Sequence, residues 1–214
     1  MNLLKEGKIS DSNIRNIIFD WGGVITNIDY HATIHKFAEI GITDFKEYYS
    51  KSAINELFLL FEKGKIEAYE MRNNLRKDFN VNVTDQQIDD AWNAMLLDTP
   101  VERLELLKFL KTDYRIFLLS NTNSIHAPHY NKYIQDTYGI NFPGLFESVY
   151  YSHEIGMRKP DHEIYEFVLN KSGLKKDETL FIDDLEVNIL PARELGIQTY
   201  LLTKPDTLMD LFNS

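Results

Sequence analysis

The 214-residue sequence predicts an α/β fold: a parallel sheet sandwiched by helices, with a helical block inserted after the first strand. Three observations carry this. Short apolar runs such as Ile17-Ile18-Phe19, Arg115 to Leu119 and Thr179 to Ile182 stop abruptly at polar residues, as buried strands do. From the second of these runs onward, strand-like and helix-like stretches alternate, which calls for crossover helices on both faces of a parallel sheet. Between them, from Tyr30 to about Leu97, no clear strand run occurs.

The first strand ends at Asp20, and Gly22 and Gly23 follow, which let the backbone turn tightly and approach a ligand. Helices are expected over His31 to Ile40, Asp44 to about Phe61, Ile66 to Phe79 and Thr84 to Leu97. Thr84 and Gln87 form a capping-box pattern, and Ile88, Trp92 and Met95 recur at helical spacing. Gly41 and Gly64 stand where helices should stop. Val101 to Leu110 reads as an amphipathic helix with Pro100 near its start. The second strand, Arg115 to Leu119, ends at Ser120-Asn121-Thr122-Asn123. A helix around His129 to Thr137 leads to a third strand, Phe146 to Tyr151, and then to a loop from Ser152 to Asp161. A helix from His162 to Ser172 is stopped by Gly173. The fourth strand, Thr179 to Ile182, ends at Asp183-Asp184. A helix from Val187 to Leu195, a fifth strand from Gln198 to Leu202 and a short helix from Thr207 to Phe212 complete the chain. The expected division is a core of residues 14–29 and 98–214 and an insert of residues 30–97, hinged at Asn27 to Asp29 and Asp98 to Pro100.

Composition narrows the function. A net charge of −10 repels a phosphate-rich polymer, so nucleic acid is not an expected partner. There are no cysteines, which excludes disulfides, thiolate metal sites and cysteine catalysis. No apolar run is long enough to span a membrane. Met1 to Ser12 lacks an apolar core followed by a small-residue cleavage site and reads as a polar lead-in. A cytoplasmic location is expected.

Three strands end in groups whose chemistry is complementary, at Asp20, Ser120-Asn121 and Asp183-Asp184. Lys159 lies in the loop after the third strand. If the strands are neighbours, two or three carboxylates meet, and like charges held close resist joint ionisation without a cation. A hard divalent ion with oxygen ligands answers this, and Mg2+ is the usual one at phosphate sites. Lysine and hydroxyl beside a carboxylate suit phosphoryl transfer, which depends on positioning and charge stabilisation. A carboxylate can itself attack and form an aspartyl-phosphate. Each element also has an ordinary structural role, such as a turn, a helix cap or a solvated loop; their joint occurrence at strand ends favours a site.

Ile17 to Val24, Leu118 to Asn121, Arg158-Lys159-Pro160 and Leu180 to Asp184 resemble, in order, the four motifs of the haloacid dehalogenase-like hydrolase superfamily. The resemblance runs from Ile17 to about Leu202. It implies a Rossmann-like core and a helical cap of the family's first cap class. Phe-Asp-x-Gly-Gly-Val and Leu-Ser-Asn-Thr-Asn are most similar to sugar-phosphate phosphatases and the phosphatase domain of epoxide hydrolases. The resemblance implies Asp20 as nucleophile and Mg2+ ligand, with the Gly22 carbonyl and Asp184 as further ligands. Asp183 and Asn188 would support the metal shell, Ser120 and Asn121 would hold the phosphoryl group, and Lys159 would neutralise Asp20 and the phosphate. A small phosphorylated metabolite, foremost a sugar phosphate, is the implied substrate. The chain departs from the family at Gly22, where most of its phosphatases carry an acid that protonates the leaving oxygen. Such a group contributes ~10²–10⁴-fold in rate.

Two other readings compete. A haloacid dehalogenase needs no proton for its halide, but leaves the Asp183-Asp184 pair unexplained. A catalytically weak binding or regulatory protein is supported by Gly22 alone. A phosphomutase usually needs the absent acid in both directions. Of the histidines, His31 and His35 have metal-ligand spacing but lack the Glu of a zinc protease motif, so surface positions are expected. His126 and His129 read as loop residues, and His153 as a candidate partner of the leaving group. Tyr48, Tyr49, Phe58 and Phe61 are expected in the core of the insert. Lys63-Gly64-Lys65 is expected as a helix-helix turn whose lysines could meet an anion.

Overall fold

The computed structural model describes residues 13–52 and 56–212, so the polar lead-in lies outside the described residues. Five parallel strands form one sheet in the order β3-β2-β1-β4-β5: β1 (Asn16–Phe19), β2 (Arg115–Ser120), β3 (Ser148–Tyr151), β4 (Thr179–Asp183) and β5 (Gln198–Leu201). Phe19 pairs with Leu118 on one side and Ile182 on the other, so the strands that end at Asp20, Ser120 and Asp183 are adjacent. The chain leaves β1 for β2 on one side and β4 lies on the other, which makes the carboxyl end of β1 a topological switch point.

Side-chain alternation splits the core in two. Ile17, Phe19, Ile116, Leu118, Leu180 and Ile182 face one layer, with α6 (Val101–Leu110) and α7 (His126–Tyr138). Ile18, Phe117, Leu119 and Phe181 face the other, with α9 (His162–Ser172) and α10 (Glu186–Glu194). Both faces are therefore apolar, as the unbroken apolar runs require.

Residues between β1 and α6 form α1 (Tyr30–Glu39), α2 (Phe45–Ser52), α3 (Glu56–Glu62), α4 (Ala68–Phe79) and α5 (Asp85–Asn93). They enclose their own cluster of Phe37, Phe45, Phe58, Phe61, Met71, Leu75, Ile88 and Trp92. The expected capping box is present, with Thr84 Oγ1 accepting from Gln87 N–H and Gln87 Oε1 accepting from Thr84 N–H. The two connections to the sheet run side by side. Asn27 N–H donates to Asp98 O, Leu97 N–H to Asn27 O and Asp29 N–H to Met95 O, each at 3.0 Å.

Several expected elements change. The single helix expected over Asp44 to Phe61 holds two described helices, α2 and α3. α7 starts at His126 rather than His129, and Pro128 falls in its first turn, where a missing N–H costs no intrahelical bond. The expected loop from Ser152 begins with a short helix, α8 (Ser152–Ile155), which ends at Gly156 in the left-handed region. The third strand is trimmed to Ser148–Tyr151, and the terminal helix is a single 3-10 turn at Leu208–Asp210.

Candidate active site

Asp20 follows β1 directly, with its N–H donating to Ile182 O at 2.9 Å, so the central ladder fixes its backbone. Lys159 arrives from the segment after α8 and is 1% exposed. Its Nζ lies 2.7 Å from Asp20 Oδ1 and 2.7 Å from Asp183 Oδ2. Asp183 is fully buried and accepts further bonds from Leu185 N–H at 2.9 Å and Asn188 Nδ2 at 3.0 Å. Its oxygens are thus engaged in holding Lys159 and the start of α10. Asn188 is itself fixed on α10, whose carbonyl at that residue accepts from Tyr165 Oη at 2.7 Å.

Asp184 occupies the space above the glycine turn. A Cβ on Gly23, whose φ is +78°, would lie 2.1 Å from Asp184 Oδ2, so only glycine allows the carboxylate this close. Oxygens of Asp20, Asp183 and Asp184 lie within 4.8 Å of one another; among the described residues this is the cluster that could hold a metal ion. Burial, opposed by Lys159 and reinforced by Asp183, pushes the Asp20 carboxyl up to about 7. Burial and then Asp183 push Asp184 up to about 6. The Lys159 ammonium is held above the usual lysine range: Asp183 and Asp20 outweigh its desolvation. One cation facing three carboxylates leaves uncompensated negative charge.

The loop after β2 is a lattice of side-chain to backbone bonds. Asn121 Oδ1 accepts from Lys159 N–H at 2.9 Å, and Asn121 Nδ2 donates to Lys159 O at 2.8 Å. The Asn121 carboxamide thus clamps the Lys159 backbone on both sides, with one of its two Nδ2 hydrogens used in that bond. Ser152 Oγ brackets Thr122, accepting from its N–H and donating to its carbonyl, both at 3.0 Å. Asn123 Oδ1 accepts from Ile125 N–H and His126 N–H and thereby starts α7. Ser120, 4% exposed, faces the cavity.

That cavity, about 240 Å³, lies between the sheet edge and the helical insert. Asp20, Gly22, Ser120, Lys159, Asp184 and Asn188 line its floor, and Tyr30, Tyr49, Glu62, Trp92 and Met95 come from the insert. Glu62, Arg158 and Asn123 escape a reading of the sequence for catalytic groups. Asn123, three residues before His126, carries the signal of a helix start; Glu62 carries none. His126 is buried against Trp92 in a parallel stack at 5.1 Å, and burial pushes it down to about 3, so it is neutral. His31 and His35 are exposed, as expected. His153 stacks on Tyr151 and does not line the cavity. Lys63 turns away to Asp161 at 2.8 Å, and Lys65 lies by Gly156. Neither lysine lines the cavity, so the expectation that they meet an anion there is not met.

The model of haloacid dehalogenase-like hydrolases matches residues 14–196. The chain belongs to this hydrolase family. As a haloacid dehalogenase-like hydrolase it is similar to D-ribitol-5-phosphate phosphatase of Bacteroides thetaiotaomicron, at 30% identity over 87% of this chain and 91% of that one. It is also similar to the crystal structure of a HAD family enzyme of the same organism in complex with magnesium and inorganic phosphate. The TM-score there is 0.85, with 37% identity over 94% of this chain and all of that one. The L-2-haloacid dehalogenase of Xanthobacter autotrophicus shares the hydrolase fold alone, with a TM-score of 0.59 at 17% identity over 87% of this chain and 76% of that one. Among the described residues no helix is long and apolar enough to cross a membrane.

Proposed function

We propose that this hydrolase is a Mg2+-dependent phosphomonoesterase of small phosphorylated metabolites, foremost sugar phosphates, acting in the cytoplasm through an aspartyl-phosphate on Asp20. The observation that carries the reading is the charge imbalance at the sheet edge. Three carboxylates with oxygens within 4.8 Å face one ammonium, so a divalent cation balances the set. The donors are hard oxygens, which suit Mg2+. Asp20, Asp184 and the Gly22 carbonyl would hold it, while Asp183 and Asn188 support the arrangement from behind. When bound, the ion neutralises carboxylate charge and polarises phosphoryl oxygens. The similar enzyme that binds magnesium and phosphate, and the similar ribitol-phosphate phosphatase, support the same assignment.

The chain's own residues divide the work. One Asp20 oxygen attacks phosphorus in line, the bond from phosphorus to the ester oxygen breaks, and that oxygen leaves as the alcohol with a proton taken from water, since Gly22 supplies none. Lys159 holds Asp20 through one of its three N–H donors and Asp183 through another, which leaves the third for a phosphoryl oxygen. The Ser120 hydroxyl and the Asn121 N–H bind the remaining phosphoryl oxygens. Water then hydrolyses the acyl phosphate and restores Asp20. Residues 30–97 act as the cap over a core of residues 14–29 and 98–214, and exclude bulk water from the cavity.

The test is phosphate release from a panel of phosphorylated sugars, polyols and nucleotides. Release requires Mg2+, stops on EDTA addition and falls by ~10⁴-fold or more in Asp20→Asn. Turnover that persists in EDTA, or in the variant, overturns the reading. Chloride release from a 2-haloacid without Mg2+ would instead establish the dehalogenase.

A further inference from the structure

The cavity wall carries polar groups that phosphoryl transfer does not use: Glu62 from the helical insert, and Arg158 and His126 from the connections after β3 and β2. Glu62, the last residue of α3, accepts from Arg158 Nε at 2.9 Å, with the two side chains 20% and 23% exposed. Both line the cavity that holds Asp20 and Lys159. Taking such a pair partly out of water costs solvation that its attraction only roughly offsets, so stability alone is a poor reason for it. Its charges cancel, so it neither attracts nor repels a ligand by net charge. It does present carboxylate lone pairs and guanidinium N–H groups beyond the single bond they share.

His126 adds an acceptor to the same cavity. Its Nδ1 lies 2.9 Å from Asn93 Oδ1. With that carboxamide oxygen accepting, Nδ1 carries the proton and Nε2 carries the lone pair. A charge-balanced carboxylate and guanidinium with a neutral imidazole make a surface of mixed donors and acceptors. A hydroxyl both donates and accepts, so it can satisfy every one of these groups. An alkyl chain would leave them desolvated and unpaired, which is the basis of strong rejection. The cavity volume of about 240 Å³ suits a small metabolite rather than a polymer.

We infer that Glu62, Arg158 and His126 form a hydroxyl-reading subsite, and that the preferred substrates are phosphomonoesters of a neutral polyhydroxylated chain. The inference rests on the phosphatase reading above.

The experiment compares kcat/KM for a five-carbon polyol phosphate and for pentyl phosphate, with Mg2+. Both have primary-alcohol leaving groups, so their ratio reports hydroxyl recognition and not proton donation. The wild type is expected to favour the polyol phosphate by ~10³-fold or more. Glu62→Ala is expected to lower that ratio by ~10²-fold. Glu62→Gln, which keeps the shape and an acceptor, should lower it by about tenfold. The Gln variant decides the matter if the Ala variant fails to fold. A ratio within about twofold of wild type in either folded variant, even with both rates reduced, overturns the subsite; the pair would then be a brace for the Lys159 segment. Equal rates on the two esters in the wild type also overturn it. No phosphate release from either ester, nor from any of the panel, would instead overturn the phosphatase reading.

Discussion

Gly22 and Ile28 claim the same space. A Cβ built on Gly22 would lie 2.5 Å from Ile28 Cδ1, the tip of a flexible side chain. The position two residues beyond Asp20 is thus not empty but filled from the segment that leads into α1. Gly22→Asp alone should crowd Ile28 at a cost of about 1–3 kcal/mol and add little activity. Gly22→Asp combined with Ile28→Ala should raise turnover of alkyl phosphates by ~10–10²-fold, and of aryl phosphates far less, since good leaving groups need no proton. A series of phosphate esters of graded leaving-group pKa checks this. An unchanged slope in the double variant would mean the introduced carboxyl does not reach the leaving oxygen.

Asn121 holds Lys159 by its backbone on both sides, at 2.9 and 2.8 Å. Asn121→Ala should lower kcat by ~10–10²-fold through a displaced lysine and cost roughly 1–3 kcal/mol of stability. Asn121→Asp keeps the acceptor for the Lys159 N–H and should fall between. Steady-state kinetics with thermal unfolding separates the two variants. Full activity in Asn121→Ala would show that Lys159 is placed by Asp20 and Asp183 alone.

The carboxylate cluster sets a pH dependence. Asp20, at about 7, and Asp184, at about 6, are raised in the folded protein, so it binds more protons than the unfolded chain between pH ~4 and ~7. Their contribution to stability is present at low pH and declines as pH rises through these values. Lys159 is raised as well, so its contribution persists until pH passes its folded value, above this window. Mg2+ should relieve the repulsion between ionised carboxylates. The rise in Tm on adding millimolar Mg2+ should therefore be larger near pH ~8 than near pH ~5. Calorimetry in Mg2+ and in EDTA measures it, and equal shifts at both pH values would contradict the proposed ligand set.

Gly64 packs the turn after α3 against the backbone of α8. Its φ is +60°, and a Cβ there would lie 2.0 Å from the carbonyl oxygen of His153 in α8. The obstacle is backbone, so it cannot rotate away. Gly64→Ala should cost ~1–2 kcal/mol in strain and more in clash. It should also shift α3, and Glu62 with it, and so raise KM. A Tm and KM identical to wild type would mean that α3 and α8 separate freely in solution.

Much of the site is legible in the sequence because strand ends are local signals. Uninterrupted apolar runs that stop at Asp20, Ser120 and Asp183 announce buried parallel strands, and the polar residue at each end needs no knowledge of its neighbours. The Thr84–Gln87 capping box and the stop at Gly173 are legible for the same reason. The clamp that Asn121 makes is not legible, because its type suits an anion as well as a backbone, and its partner Lys159 lies 38 residues on. Glu62 and Arg158 are 96 residues apart, and nothing in the pattern of α3 distinguishes this glutamate from a solvated one.

By itself the sequence determined the element types, the residues at the strand ends and, through the resemblance they carry, the chemistry of the sheet edge. Those follow from periodicity, backbone preference and residue type, which act over a few neighbours. The tertiary structure alone decided that Asp183 and Asn121 bond Lys159, that Ile28 fills the space beside Gly22, and that Glu62 meets Arg158 on the cavity wall. Those depend on strand order and on the seating of the insert, where short-range electrostatics and excluded volume join residues that the chain keeps far apart.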